Sequence, residues 1–344
     1  MTASSDAAGA PRDSRRMPEF FIVGHPKSGT TALYEMLRSH PQIYMPELKE
    51  PWFFGEDMRA RFQPARSGVV PETLEQYLAL FGAAGAEQRA GEASSSYLRS
   101  SCAAEKIAEL RPDARIIAVL REPASFLRSL HLQLLRDHVE TRRDLREALS
   151  LEPERRAGRS IPRSSHLPQM LLYSDHVRYV EQLRRYYAAF APEQVLVLIY
   201  DDFRADNAGT LRRVQRFLDV EEMPVEPLDA NTSTRKMRSQ RLDDLVNGVS
   251  VGRGPVSRTI KAAVKAVSSD RLRERALRLT RRKLIYEQPP PVDRQLMAEL
   301  RARFHGEVVA LSEYLDRDLL GLWGYEDRPR GSAPLAAASP DARS

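Results

Sequence analysis

Phe20-Phe21-Ile22-Val23-Gly24-His25-Pro26-Lys27-Ser28-Gly29-Thr30-Thr31 reads as a buried strand, a tight loop carrying a lysine, and a helix opening on two hydroxyl residues. That order gathers backbone N–H groups and a helix N-terminus around one small anion, with an ammonium beside it. Gly24 and Gly29 keep the GxxxxG spacing of a Walker A loop, but a Walker A loop continues with Lys and Ser/Thr. Here Thr30 follows, and the lysine sits inside the loop at position 27. The stretch predicts a phosphate site, and not one built for the triphosphate of an ordinary ATPase.

Working outward, a helix over 30–39 stops at His40-Pro41. An irregular segment with Pro46, Pro51 and Pro64 follows, then a helix around 72–82. A helix over 103–111 leads into Arg115-Ile116-Ile117-Ala118-Val119-Leu120, the continuous β-rich run of a strand covered on both faces. Glu122-Pro123 opens a helix reaching about 138, with proline in its first turn. Residues 140–165 are charged and contain proline, and read as a surface excursion. A helix over 168–190, the buried strand Val195–Tyr200, and helices over 207–219 and 293–316 complete the pattern. Strands alternating with helices predict an α/β fold with a central parallel sheet flanked by helices.

The chain has 344 residues, 42% of them hydrophobic, enough for a large core. Its single cysteine, Cys102, excludes a disulfide framework and a multi-cysteine zinc site, and suits a reducing compartment. No run approaches the roughly 18 apolar residues of a membrane helix. Residues 1–17 lack the apolar segment of a secretory signal, so the expected location is cytoplasmic. These residues and 329–344, rich in Ala, Ser, Pro and Arg, read as disordered tails around one domain over 18–328. The net charge of +6 suits a polyanionic ligand, with no sign of nucleic acid as partner. Residues 251–285 hold eleven Lys/Arg against Asp270 and Glu274, with apolar residues at helical spacing. They read as a basic helical insertion with a solvated face, or as a lid or peripheral membrane contact.

The strand 115–120 ends in Arg121, where a P-loop NTPase places a magnesium-holding aspartate. Ser129 follows eight residues later on the next helix. An arginine fork and a hydroxyl at a strand's carboxyl edge make a second anion pocket, unless Arg121 pairs with Glu122 instead. Two anion pockets suggest a nucleotide phosphorylated at two places on its ribose, and the sequence implies no metal.

The loop 26–31, the Arg121/Ser129 pair and Lys49-Glu50-Pro51-Trp52-Phe53-Phe54 resemble the sulfotransferases that use 3′-phosphoadenosine 5′-phosphosulfate (PAPS), above all their heparan-type and bacterial members. The likeness extends over most of 18–326, through Leu198-Ile199-Tyr200-Asp201-Asp202-Phe203, Arg216-Phe217-Leu218 and Tyr314-Leu315-Asp316-Arg317-Asp318-Leu319. It implies a P-loop-like three-layer domain in which Lys27, Ser28, Gly29, Thr30 and Thr31 hold the 5′-phosphosulfate. Lys27 would touch the oxygen bridging phosphorus and sulfur. Arg121 and Ser129 would grip the 3′-phosphate, Arg235 and Lys236 would close over the nucleotide, and Tyr200 would approach the adenine. Glu50 matches the glutamate used as base, and Pro51, Trp52, Phe53 and Phe54 are expected to desolvate it and raise its pKa.

Two departures bear on the acceptor. Ala93 replaces a lysine in Gly91-Glu92-Ala93-Ser94-Ser95-Ser96-Tyr97, leaving Glu92 or Ser94 to line the acceptor pocket, and Trp52 and Gly55 replace polar residues. A small, apolar alcohol or phenol is therefore expected rather than a polysaccharide, with glycosides and lipid alcohols also open. The Arg- and Ala-rich composition hints at a bacterial enzyme that tailors secondary metabolites. His25 reads as making backbone or phosphate contacts, and His131, His138, His166 and His176 as structural or surface residues. The paired acids Asp201-Asp202 suggest metal binding by themselves, whereas the resemblance implies a structural loop with nucleotide contacts. Trp323 and Tyr325 read as core anchors. The rival readings are a magnesium-dependent P-loop kinase or NTPase, and a non-catalytic nucleotide-binding protein that contacts membranes through 251–285.

Overall fold

The computed structural model describes residues 16–59, 70–165, 167–224 and 291–325, and the backbone of two short strands, Lys236–Met237 and Tyr286–Glu287. The tails and the basic stretch 251–285 lie outside the described residues, apart from 16 and 17. In chain order the elements that build the body are β1 (Phe20–Ile22), α1 (Thr30–Arg38), β2 (Ile43–Tyr44), α2 (Leu74–Ala79), β3 (Arg89–Ala93) and α3 (Ala103–Leu110). Then come β4 (Arg115–Leu120), α4 (Pro123–Arg136), α5 (Tyr179–Ala189), β5 (Val195–Ile199), α6 (Tyr200–Ala205) and α7 (Asn207–Phe217). The C-terminal helices are α8 (Arg294–Arg303), α9 (His305–Tyr314) and α10 (Leu319–Trp323).

The five strands form one parallel sheet in the order β2-β3-β1-β4-β5. In the central strand β1, Phe20 and Ile22 pack with Leu33, Met36 and Leu37 of α1 and Leu211 and Val214 of α7. Phe21 and the following Val23 face the other way, into a larger core with Ile107, Phe126, Leu127 and Leu183. Alternation along one strand thus divides the interior into two layers on opposite faces of the sheet.

Strands β2 and β3 do not announce themselves in the sequence. Arg-Ala-Gly-Glu-Ala has little β propensity, and its strand character comes from pairing with β1. Gly91 sits opposite Phe20, whose ring lies 2.0 Å from where a Cβ on residue 91 would stand, so glycine makes room for the central aromatic.

The helix expected over 168–190 is broken into the turns Pro168–Leu171 and Tyr173–His176 and helix α5, and that over 293–316 breaks at Phe304. The segment 140–165 is not a simple surface excursion. It folds into the short helices Leu145–Ser150 and Glu152–Arg156, and Arg155 forms a buried two-pronged pair with Glu140 at 2.8 and 2.9 Å. Charges that suggest solvent in the sequence neutralise one another inside the fold. The C-terminal helices lock onto the carboxyl ends of β4 and β5. Trp323 donates to Asp201 at 3.0 Å, Arg317 pairs with Asp202 at 2.7 Å, and the Tyr325 hydroxyl donates to Glu122 at 2.7 Å. The two aromatics therefore anchor the core as expected, whereas Asp201-Asp202 hold the C-terminal helices from the first turn of α6 and not from a loop.

Candidate active site

The loop between β1 and α1 lies at the carboxyl edge of the sheet, the usual ligand edge of an open α/β sheet. It approaches β4 so closely that a Cβ on Gly24 would lie 2.7 Å from the backbone N and O of Val119. Lys27 and Gly29 both take left-handed backbone conformations, with φ of 69° and 87°. Glycine does so freely, whereas a lysine there costs about 1–3 kcal/mol, a strain typical of functional loops. Helix α1 begins with no side-chain cap on Gly29, so its first amides are open to an anion. Beside them the Ser28 hydroxyl is buried with no hydrogen-bond partner. An orphaned buried hydroxyl at an uncapped helix start fits a ligand oxygen. The Thr30 side chain is buried in the first turn and Thr31 is exposed.

Lys27 is half-buried, and its pKa is drawn down to about 8 by burial first and then by the positive charges of Arg136 and Arg121. Arg121 donates from Nη1 to the Lys27 carbonyl at 2.6 Å, and its guanidinium stacks over the Tyr200 ring at 4.6 Å. The Tyr200 ring in turn packs against Gly29. The strand-end arginine, the phosphate loop and the first residue of α6 thus form one cluster. The alternative pairing of Arg121 with Glu122 does not form. Glu122 instead caps α4, accepting from the amides of Ala124 at 3.1 Å and Ser125 at 2.6 Å. Ser129 is buried on α4. The same helix brings Arg128 near Arg121, and burial followed by that neighbour's charge lowers the Arg128 pKa. Arg128 and Arg136 are cationic members of the site that the sequence reading missed. Their only signal was two arginines on the helix that follows Arg121.

The strand carrying Lys236 pairs antiparallel with Tyr286–Glu287, and its backbone approaches α4. Arg235, the other expected closing residue, lies outside the described residues.

Glu50 stands on a loop bound to the end of β3. Its amide donates to the Ala93 carbonyl at 3.0 Å, and its carboxylate accepts from Ser95 Oγ at 2.8 Å and from Lys49 Nζ at 3.1 Å. Glu50 and Trp52 are both left-handed, with φ of 59° and 52°. The expected aromatic desolvation of Glu50 is not built. Its side chain is 28% exposed, and Trp52, Phe53 and Phe54 join the core. Phe53 stacks on Tyr77 at 4.6 Å. On the neighbouring strand β3, Glu92 is fully buried, and burial lifts its carboxyl to about 7 despite hydrogen bonds from Ser94, Tyr77 and Tyr97.

His25, His131 and His176 serve the core. His25 is buried against Phe126 and Tyr179, bonds Gln182 at 2.7 Å, and is driven by burial to a pKa of about 3. His131 bridges the Tyr173 hydroxyl at 2.8 Å and the Arg143 carbonyl at 3.1 Å, and His176 meets the Met170 carbonyl at 3.2 Å. His166 lies outside the described residues. Among the described residues no group of three or more His, Cys, Asp or Glu is placed to hold a metal, and no helix is long and apolar enough to cross a membrane.

Comparison with known proteins identifies the family. The sequence model of the sulfotransferase family matches residues 18–224. Heparan sulfate glucosamine 3-O-sulfotransferase 3A1 of Mus musculus is 29% identical over 210 residues, 61% of this chain and 48% of that protein. Carbohydrate sulfotransferase 15 of Mus musculus is 27% identical over 276 residues, 67% of this chain and 48% of that protein. The chain thus spans about half the length of these relatives. The crystal structure of a sulfotransferase from Alicyclobacillus acidocaldarius is similar with a TM-score of 0.63 at 26% identity, covering 90% of this chain and 99% of that one. The chain belongs to the sulfotransferase family.

Proposed function

We propose that this protein transfers a sulfuryl group from PAPS to a hydroxyl of a small-molecule, glycoside or lipid acceptor. The observation that carries the reading is the 2.6 Å bond from Arg121 to the Lys27 carbonyl, which joins two cationic pockets across one sheet edge. A nucleotide with phosphate at both ends of its ribose matches that pair of pockets. Ser28, Gly29, Thr30 and Thr31 at the start of α1 are assigned to the 5′ end. Arg121 and Ser129 are assigned to the 3′-phosphate, with Tyr200 beside the base and Arg235 and Lys236 over it. PAPS supplies a sulfuryl group on a good leaving phosphate. Lys27 stabilises the negative charge that builds on the leaving oxygen in a loose, in-line transition state. Glu50 takes the acceptor proton as the hydroxyl attacks. The relatives named for heparan sulfate and carbohydrate favour a glycoside acceptor, whereas Ala93, Trp52 and Gly55 favour a small or apolar one. A transfer screen from sulfur-labelled PAPS over phenols, glycosides and lipid alcohols decides between them.

The nucleotide assignment is tested by calorimetry with adenosine 3′,5′-bisphosphate and with adenosine 5′-phosphate. Arg121→Ala is expected to weaken the bisphosphate about 10- to 100-fold, the worth of one charge-assisted pair, and the monophosphate far less. Equal losses on the two ligands remove Arg121 from the 3′ pocket. No heat with the bisphosphate, together with tight binding of ATP and magnesium, overturns the whole reading in favour of a kinase or NTPase.

A further inference from the structure

Three consecutive residues at the end of β3 grip the loop that carries Glu50. The Ala93 carbonyl accepts the Glu50 amide at 3.0 Å, Ser95 Oγ donates to the Glu50 carboxylate at 2.8 Å, and Ser94 Oγ accepts the Trp52 amide at 3.3 Å. The middle grip depends on the direction of one proton. A serine hydroxyl has a single hydrogen, so Ser94 presents a lone pair to Trp52 only while that hydrogen points elsewhere. It points at Glu92, 2.5 Å away. Glu92 is completely buried, and its other oxygen accepts from the Tyr77 hydroxyl of α2. Such a carboxylate is closed to substrate, yet it is one hydroxyl removed from the loop on which the proposed base stands.

We infer that Glu92 is a positioning residue that, through the Ser94 hydroxyl, holds the 50–52 loop in its left-handed form and so aims Glu50 at the acceptor. This rests on the reading of Glu50 as base. As a carboxylate, Glu92 can only accept, and it therefore dictates the Ser94 proton. Once protonated it can donate to Ser94 instead, which frees the Ser94 hydrogen to turn and no longer fixes the lone pair presented to the Trp52 amide. Burial lifts the Glu92 carboxyl to about 7. The loop is therefore held above that pH and loosened below it. The groups facing Glu92 are the hydroxyls of Tyr77 on α2, Tyr97 in the turn after β3 and Tyr186 on α5, while Lys49 and Glu50 on the loop pair with each other. Burial drives all three tyrosines well above their ordinary range, so none of them titrates near neutrality.

The test uses the full chain. Trp52 emission, isolated by difference from a Trp52→Phe variant, is followed from pH 5.5 to 8.5, a window set about the neutral range. A transition near pH 7 is expected in the parent and is absent in Glu92→Gln and Ser94→Ala. In sulfuryl transfer from PAPS to the acceptor that the screen identifies, either variant is expected to lower kcat about tenfold through misplacement of the base. The KM for PAPS and the affinity for adenosine 3′,5′-bisphosphate stay within about twofold, since Glu92 touches no group assigned to the nucleotide. The double variant should be no worse than the poorer single one, because both break the same link. A transition that persists in both variants, or kcat losses that multiply, overturns the inference. Ser94→Ala keeps the test available should Glu92→Gln fail to fold. Full turnover by Glu50→Gln would instead sink the role of Glu50. Loss in Glu50→Gln with wild-type kcat in both other variants sinks only the role of Glu92.

Discussion

Lys27→Met is expected to lower kcat by about 10³-fold, the upper range for removing one preorganised donor from a site of developing charge. Methionine keeps the length and most of the volume of the side chain and removes only the ammonium. The substitution also has a signature in pH. In the free protein Lys27 is cationic below its pKa of about 8 and neutral above it, because burial and then the charges of Arg136 and Arg121 disfavour the cation. A bound anion favours the charged form, so the lysine takes up a proton on binding above that pH. Affinity for adenosine 3′,5′-bisphosphate should therefore fall as pH rises beyond 8, by at most about tenfold per unit, and stay flat from neutrality to 8. In Lys27→Met the slope above 8 should vanish. Calorimetry from pH 6.5 to 9.5, a span chosen about the lysine's titration, checks both parts. A slope that survives the substitution, or a kcat within tenfold of the parent, assigns the leaving-oxygen contact elsewhere.

The sequence makes the central strands and the phosphate loop legible because each rests on local chemistry. Phe20–Ile22, residues 116–120 and Val195–Ile199 are continuous apolar runs, short and β-rich as expected of strands buried on both faces. Gly24 and Gly29 mark the loop by their GxxxxG spacing, and in the structure they supply a close approach to β4 and a left-handed turn. Strand β3 is illegible for the opposite reason. Its place comes from its parallel partners and from the room Gly91 leaves for Phe20, neither of which is a local property. Because β3 is hidden, so is the buried Glu92 and its hold on the 49–52 loop. Trp52-Phe53-Phe54 beside Glu50 suggests desolvation by proximity in sequence. Two left-handed residues flanking Pro51 reverse the chain there, and the aromatics enter the core while the carboxylate stays at its edge. Arg128 and Arg136 escape notice because a cation on a helix reads as solvated until the neighbouring elements are placed.

Glu50→Gln is expected to reduce turnover by about 10²- to 10⁴-fold, the range for removing a positioned general base, while leaving nucleotide affinity within about twofold. The geometry favours a clean substitution. Glutamine matches the shape of glutamate, and its amide oxygen can still accept from Ser95 Oγ, which now lies 2.8 Å from the carboxylate. The Lys49 pair is lost as an ion pair, but both side chains are more than a fifth exposed, so that change costs at most about 1 kcal/mol of stability. The backbone bond to Ala93 does not involve the side chain. A melting temperature close to the parent's, with undiminished binding of adenosine 3′,5′-bisphosphate, would show that the loss is chemical and not structural. If turnover survives, the base must be another group within reach of the acceptor. Glu92 does not qualify, because it has no exposed surface and lies behind Ser94 and Tyr77. His25, His131 and His176 are equally enclosed and already bonded within the core. A further candidate is the acceptor's own ionisation, which a phenol achieves readily and an aliphatic alcohol does not. Surviving turnover confined to phenols would therefore identify a reaction needing no base, whereas a loss on both classes keeps Glu50 in the role.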